Sequence, residues 1–160
     1  MSPSTTKKVL VRRFERETAQ GFASPQQYLQ PAGIEILKTD GTTLLLPYRE
    51  VKTVSFVRDF PAPGAPEDRK TFHTRPKMEG LWVRMLFRDH DLMEGILPNN
   101  LLQIDPYGFS FVPPDPYSNN QRIFVPREAL RDIHVLGVVG GKAARTKKEE
   151  AKEQIRLFDV

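Results

Sequence analysis

The chain of 160 residues contains no cysteine. Without cysteine there is no disulfide, no thiolate-bound zinc or iron–sulfur cluster, and no thiol nucleophile. This absence fits a reducing compartment, and we expect a cytoplasmic protein. The start of the chain lacks a long apolar segment, so we expect no signal peptide. No apolar run approaches the roughly 20 residues that span a bilayer, so no membrane span is predicted.

The chain also lacks a strong excess of charge, since its formal net charge is only +4. There are 9 basic and 6 acidic residues in 1–60, and 4 and 3 in 61–80. Residues 81–140 hold 5 basic and 7 acidic residues, and 141–160 hold 6 and 4. A nucleic-acid module concentrates lysine and arginine on one face, and no such concentration appears here. We therefore do not expect a nucleic-acid partner.

Residues 9–57 contain about five short runs of alternating apolar residues, a pattern typical of β-strands. Two of the runs flank Asp40-Gly41, the strongest hairpin signal in the chain, because both central positions of a tight turn favour positive φ. Glycines open two other runs at Gly21 and Gly33, and Pro47 precedes a predicted single helical turn. The pattern leaves no room for a long helix.

The second half of the chain repeats this order of signals. The offset from the first half is 74 residues at Gly95, 75 at Gly108 and 79 at Pro126. The drift comes from insertions in turns, which tolerate extra residues. In the largest insertion, the loop at residues 113–120 replaces the short hairpin turn of the first half.

The repeat predicts a mainly β fold of two tandem five-stranded antiparallel barrels, residues 1–60 and 81–140. Barrel closure protects the edges of short strands. Residues 61–80 are rich in proline and predict a semi-rigid linker. Residues 141–160 contain many charged helix formers and no wide apolar stripe, which predicts a short carboxyl-terminal helix or a flexible tail. The alternative is a single irregular sandwich.

No pattern of residues indicates catalysis. His90 lies between Asp89 and Asp91, so it is the best candidate for a titrating or metal-binding side chain. No second histidine lies at ligand spacing, which favours an exposed turn. Phosphate-binding glycine loops and serine elbows are also absent. We therefore expect a non-enzymatic protein with no catalytic residues, no cofactor and no metal site.

The loop from Pro113 to Arg122 is the most distinctive surface segment. Prolines lower the entropy that a loop loses on binding, and tyrosine and asparagine are common contact residues. We therefore predict that Tyr117, Asn119, Asn120 and Arg122 contact a partner. The alternative is that these residues only end strands and cap turns.

The carboxyl terminus has four apolar residues among its last six. Gln154, Leu157 and Phe158 resemble the Gln-Leu-Ser/Asp-Leu-Phe peptide by which many bacterial proteins bind the sliding clamp of the replisome. The resemblance implies that Gln154 hydrogen-bonds the rim of a pocket and that Leu157 and Phe158 fill an apolar cleft. Arg156 departs from the small or acidic residue of that peptide. The alternative is packing of the terminus on its own chain or in a homodimer.

Arg12 and Arg16, with Arg13 between them, have the Arg-x-x-x-Arg spacing. This spacing resembles an element of PilZ domains, small β-barrels that bind cyclic di-GMP, and implies that the arginines clasp phosphates and guanines. The second PilZ motif, Asp or Asn-x-Ser-x-x-Gly, does not follow in the first half. The chain as a whole resembles bacterial proteins built from PilZ-like or SH3-like small barrels.

These observations predict a bacterial binding or adaptor protein. It engages a protein partner, with the sliding clamp as one candidate, through the loop of the second barrel and the carboxyl-terminal tail. The alternative is binding of a nucleotide or nucleic acid through Arg12, Arg13 and Arg16.

Overall fold

The computed structural model describes residues 6–66, 68–114 and 119–140. Within these residues the regular structure consists of β-strands and three single-turn 3₁₀ helices, which confirms the mainly β prediction. The strands are β1 (Lys7–Arg13), β2 (Ala19–Ala23), β3 (Leu29–Gln30), β4 (Gly33–Lys38), β5 (Thr43–Leu46), β6 (Val51–Val57), β7 (Gly80–Phe87), β8 (Leu92–Leu97), β9 (Gly108–Phe111), β10 (Asn120–Pro126) and β11 (Leu130–Val139). The 3₁₀ turns are Tyr48–Glu50, Leu101–Gln103 and Arg127–Ala129.

The strands form two antiparallel sheets. The larger sheet has the order β3-β4-β2-β1-β6-β10-β9, with β5 also paired to β4, and the smaller sheet has the order β11-β7-β8. β6 of the first half pairs with β1 on one edge and with β10 of the second half on the other. The sheets therefore do not close into the two separate barrels that the repeat predicts. Both edges of β6 are occupied, so β6 has none left to close a barrel within residues 1–60.

The two halves nevertheless share their pairing pattern. β1 pairs with β2 and β6, as β7 pairs with β8 and β11. A proline precedes the 3₁₀ turn of each half, with φ and ψ of −58° and 140° in the first and −59° and 143° in the second. The N–H of Phe14 donates to the carbonyl of Glu50 at 3.2 Å, and that of Arg88 donates to the carbonyl of Ala129 at 2.9 Å. The segments around these 3₁₀ turns, which we call the corners of the two halves, therefore have the same backbone geometry.

Two apolar cores lie in the molecule, and each receives an aromatic side chain from the other half. Phe124 of β10 is fully buried in the first core, and Phe14 of the first half packs against the second. Alternate residues of a strand face opposite sides of a sheet, which lets β10 contribute Phe124 to the first core and Ile123 and Val125 to the second. The first core includes Val9, Val11, Ile34, Ile36, Val51, Val54 and Phe56. The second includes Val83, Met85, Phe87, Phe111, Ile123 and Val125.

The segment between the halves contains no strand among its described residues, 61–66 and 68–79. This agrees with its proline-rich sequence, although the exact domain boundaries stay a prediction. The helix or tail predicted at 141–160 lies outside the described residues. Where the structure describes the chain, it has no helix long and apolar enough to cross a membrane.

Candidate functional site

β8 and the end of β9 pair at a single position, a bridge between Ile96 and Val112. We call the boundary between two such neighbouring strands a seam. The N–H of Ile96 donates to the carbonyl of Val112, and the reciprocal bond closes the pair, both at 3.0 Å. In the first half the corresponding strands, β2 and β4, pair at two successive positions. Next to the bridge the second-half seam opens into a groove of about 820 Å³. This seam groove is lined by Ile96, Leu97, Phe111 and Val112 and by a rim that includes Asn99, Gln103, Gln121 and Arg122.

A glycine at each seam shows how the two seams differ. A Cβ added to Gly21 would lie against the carbonyl oxygen of Leu37, so the backbone of β4 crosses directly over this glycine. A Cβ added to Gly95 would instead overlap the ring of Phe111. The aromatic ring occupies the space over Gly95, and the open groove lies beside it.

The edge of β9 offers peptide groups to this groove. Hydrogen bonding alternates from side to side along an antiparallel strand. Since the peptide groups of Val112 face β8, those of Ser110 face the same side, where the bridge no longer continues. An extended peptide laid in the groove would find these backbone groups in position to pair with it.

Two exposed leucines stand beside the groove. Leu101 is 81% exposed and Leu102 is 95% exposed, in the loop that also supplies Asn99 and Gln103 to the rim. Asn100 caps their 3₁₀ turn, because its side chain accepts a hydrogen bond from the N–H of Leu102 at 3.0 Å. The cap fixes the turn and presents both leucines outward, which is the kind of apolar surface that partners cover.

A polar cluster lies beneath Ser110. The hydroxyl of Ser110 donates to the carboxylate of Asp105, and Tyr28 hydrogen-bonds with Ser110. Burial, reinforced by the charge of Asp105, raises the pKa of Tyr28 well above its ordinary value, so the phenol stays protonated. Arg122 lines the same small cavity of about 200 Å³. These hydrogen bonds hold Ser110, and with it this part of β9, in place at the seam groove.

The predicted partner residues fall in different places. Arg122 is exposed on the rim of the seam groove. The side chain of Asn119 accepts from the N–H of Asp59 at 2.9 Å and donates to its carbonyl at 2.6 Å. Asn120 donates to the carboxylate of Asp68 at 2.6 Å. Asn119 therefore connects the start of β10 to the end of the first half, and Asn120 connects β10 to the linker. Their role toward a partner stays a prediction.

Other predicted partner residues lie outside the described residues. They are Tyr117, Gln154, Leu157 and Phe158, and the peptide that resembles a clamp-binding motif lies there with them. Leu101, Leu102, Tyr28 and Asp105 were not among the site residues predicted from the sequence. For the leucines a signal was present, because two adjacent leucines follow the polar Asn99-Asn100 in a segment with no strand pattern.

A second surface gathers arginines at the corner of the first half. Arg13 and Arg16 line a cleft of about 320 Å³ together with Arg49 and Arg88, and we call it the arginine cleft. The guanidinium of Arg88 lies 3.9 Å from the centre of the Phe14 ring, in a cation–π contact. Arg88 also donates to the carbonyl of Arg49 at 2.5 Å. The corner thus holds Arg88 in a fixed orientation.

The arginine cleft keeps its positive charge. None of its four arginines forms a salt bridge with a carboxylate among the described residues, although Glu15 and Glu50 also line the cleft. Arg13 instead donates to the carbonyl of Glu17 at 2.9 Å. Guanidinium groups without carboxylate partners are suited to phosphate or carboxylate ligands.

The structure separates Arg12 from Arg13 and Arg16. Adjacent residues of a strand point to opposite faces, and Arg12 lines another cavity, between the two halves of the chain. The three arginines that the sequence groups together therefore do not share one site. His90 lies exposed in the turn between β7 and β8, with a φ of 71°. Among the described residues no three histidine, aspartate or glutamate side chains are grouped closely enough to hold a metal ion.

Comparison with known proteins gives one match. A family model described as a family of unknown function (DUF6982) matches residues 5–137. No curated protein and no solved structure matches the chain. The matched range contains the seam groove and the arginine cleft. The resemblances to PilZ domains and to the clamp-binding peptide stay predictions.

Proposed function

The chain belongs to this family, DUF6982, and we propose that it is a non-enzymatic adaptor that binds an extended segment of a partner protein in the seam groove. One observation carries the proposal: the seam that is paired in the first half is open in the second, beside two exposed leucines. A partner strand would gain main-chain hydrogen bonds from the edge of β9 and specificity from the side chains around it.

The chemistry of the groove describes the partner segment. Leu97 and Phe111 lie almost fully buried at the base of the groove, and Leu101 and Leu102 beside it offer most of the accessible apolar surface. Arg122 on the rim favours an acidic side chain in the partner, because a guanidinium pairs with carboxylates in two-point geometry. The partner segment is therefore extended, apolar on alternate residues and acidic near one end.

Site-specific photo-crosslinking tests this proposal. A photoreactive residue replaces Gln121, which is exposed in the groove, and in a matched variant it replaces Arg131, which is exposed on β11 away from the groove. We expect one discrete crosslinked partner from position 121 and none from position 131. The partner should be lost when Leu101→Ser and Leu102→Ser are combined. Equal products from both positions, or products unaffected by the two serines, would contradict the proposal.

The carboxyl-terminal tail is the second part of the adaptor hypothesis. The full chain with Leu157→Ser and Phe158→Ser tests whether the tail takes part in capture, with the purified sliding clamp as one direct probe. We expect capture of a tail partner to fall at least tenfold, because the variant loses two apolar side chains that the hypothesis places in the partner's cleft. Unchanged capture would remove the tail from the hypothesis and leave the seam groove as the binding surface.

A second candidate function is the binding of a nucleotide in the arginine cleft. The observation that favours it is a group of four arginines that form no salt bridge with any carboxylate in residues 6–66, 68–114 and 119–140. A cyclic dinucleotide should raise the thermal unfolding midpoint, with an effect that weakens as salt increases. Arg16→Gln combined with Arg49→Gln should remove the shift, whereas Arg122→Gln should keep it. No shift in the unaltered protein at millimolar ligand would exclude this function.

A further inference from the structure

A third cavity lies between the two halves of the chain. This interhalf pocket has a volume of about 130 Å³. Its walls come from β1, β6, β8, β10 and the linker, so each half and the segment that joins them contribute side chains. A ligand bound here would contact both halves at once. The volume is sufficient for a molecule of a few heavy atoms and is far too small for a nucleotide.

Two of the basic side chains that line the pocket are already neutralised. Lys52 Nζ lies 2.7 Å from Asp89 and 3.0 Å from Asp91, and Lys70 Nζ lies 3.0 Å from Asp91. Arg12 and Arg69 differ from these lysines. Neither forms a salt bridge with a carboxylate among the described residues. The carboxylate of Asp68 also lines the pocket and accepts a hydrogen bond from Asn120. Two arginines against this one carboxylate leave the pocket with an excess of positive charge.

A buried hydroxyl marks the same pocket. Thr53 is only 1% exposed, and its Oγ1 has no hydrogen-bond partner among the described residues. Buried hydroxyls are nearly always hydrogen-bonded, and an unsatisfied one is unfavourable. Thr53 faces Arg12 across the β1–β6 pair and lines the pocket with it. A ligand oxygen next to Arg12 would accept a hydrogen bond from this hydroxyl.

One wall of the pocket is apolar. Met93 of β8, Ile123 of β10 and the two prolines Pro113 and Pro114 form it. An inorganic anion gains nothing from such a wall, whereas a short alkyl chain does. We propose that the interhalf pocket binds a short-chain carboxylate, with its carboxylate group on Arg12 and Thr53 and its alkyl part against Met93 and Ile123.

Calorimetric titration of the full chain tests this site, with butyrate, inorganic phosphate and uncharged butyramide as probes. We expect butyrate to bind and to raise the thermal unfolding midpoint, and we expect neither phosphate nor butyramide to match it. Butyramide removes the charge and phosphate removes the alkyl group. The assignment would be overturned if phosphate bound at least as tightly as butyrate. It would also be overturned if the titration showed no heat of binding for butyrate at about 10 mM.

The Thr53→Val variant separates a ligand site from a structural role. Because the hydroxyl has no hydrogen-bond partner in the part of the chain that the structure describes, its removal should leave the midpoint of the free protein unchanged or raise it by about 2–4 °C. The same change should weaken butyrate binding about tenfold or more, since a hydrogen bond to a charged group is lost. Thr43→Val, at an exposed threonine of β5, is the matched control and should alter neither value. Loss of stability in Thr53→Val without loss of butyrate binding would refute the site.

Arg12→Gln gives the complementary test. It should abolish butyrate binding, and Arg16→Gln in the arginine cleft should leave it intact. Neither variant touches the seam groove, so crosslinking of a protein partner at position 121 should persist in both. Butyrate binding that survives Arg12→Gln would overturn the proposed orientation of the ligand.

Discussion

The two halves of the molecule differ at corresponding seams, since one seam is paired and the other is open. β2 and β4 pair at two positions in the first half, whereas β8 and β9 share a single bridge in the second. A glycine stands at both seams. The difference lies in what covers it, the backbone of Leu37 over Gly21 and the ring of Phe111 over Gly95. One aromatic side chain at a repeated position therefore accompanies the change from a paired edge to an open groove.

The halves also differ in how deeply each inserts an aromatic side chain into the core of the other, because Phe124 is fully buried in the first core whereas Phe14 is only partly buried against the second. The larger sheet runs from the first half into the second through β6 and β10, and Phe124 fills the core of the half to which it does not belong. The smaller sheet contains only strands of the second half. The first half thus depends on the second for its core, and this dependence can be measured.

The largest expected effect is that of Phe124→Ala. Its side chain is fully buried, so truncation should lower the free energy of unfolding by about 3–5 kcal/mol. Urea unfolding followed by Trp82 fluorescence reports on the second half, because Trp82 is the one tryptophan of the chain and lies in β7. We expect Trp82 fluorescence and circular dichroism to shift together, since the halves share a sheet and cores. A circular dichroism transition that moves without the fluorescence would mean that the halves unfold separately.

The next effect concerns the two seam glycines. Gly21→Ala and Gly95→Ala should each cost about 1–3 kcal/mol, because the added methyl group has no space. The obstacle at Gly95 is the ring of Phe111, so adding Phe111→Leu to Gly95→Ala should recover part of the loss. The obstacle at Gly21 is backbone, so Phe111→Leu should only add its own cost there. Additive costs in both double variants would show that the ring does not cover Gly95 in solution.

The sequence predicted local features well. Asp40-Gly41 lies in the turn between β4 and β5, as predicted, and the N–H of Lys38 donates to the carbonyl of Thr42 at 2.8 Å. The prediction of positive φ at both residues was wrong, because of the two only Gly41 has it, with a φ of 90°. The matched corners at the two prolines also follow from signals within a few residues. These features depend on backbone preferences that neighbouring residues determine.

The pairing of β6 with β10 was not predictable in the same way. The two strands are separated by more than sixty residues, and strand alternation does not say which edge a strand will choose. The same limit applies to the sites. Arg122 was predicted as a contact residue from loop composition, but the seam groove depends on how two distant strands diverge. Arg12, Arg13 and Arg16 are neighbours in sequence, and the alternation of β1 alone already separates Arg12 from Arg13.

A smaller effect is expected for the ion pairs between the halves. Lys52 of β6 contacts Asp89 and Asp91 in the turn of the second half. Burial by itself would raise the pKa of Asp91, but hydrogen bonds from Lys52 and Lys70 outweigh it and hold that pKa below its usual value. A lowered pKa in the folded state gives stability that is present above the unfolded pKa, near 3.9, and is lost as the pH falls further.

Lys52→Met should therefore cost up to about 1 kcal/mol at pH 7, because the groups are partly exposed. The difference in the free energy of unfolding between the variant and the unaltered protein should become smaller below about pH 4. Lys38→Met breaks the exposed pair with Asp40, 3.8 Å long, and should change stability by less than about 0.5 kcal/mol. The urea unfolding midpoints of both variants, measured at several pH values, test these expectations. A stability difference between Lys52→Met and the unaltered protein that stays constant from pH 7 to pH 3 would contradict them.

The smallest effect on stability is expected at the leucines beside the open seam. Leu101→Ser with Leu102→Ser should change the free energy of unfolding by less than about 0.5 kcal/mol, because both side chains already face solvent. Leu37→Ser at the closed seam should cost more, since Leu37 is 39% exposed and its strand is paired there. For partner binding we expect the opposite ranking of the two variants. Crosslinking at position 121 should be lost when Leu101→Ser and Leu102→Ser are combined, and it should be kept in Leu37→Ser. If the serines destabilise the fold as much as Leu37→Ser does, the leucines belong to the packing of the second half. If they leave both stability and crosslinking unchanged, the open seam is not where the partner binds.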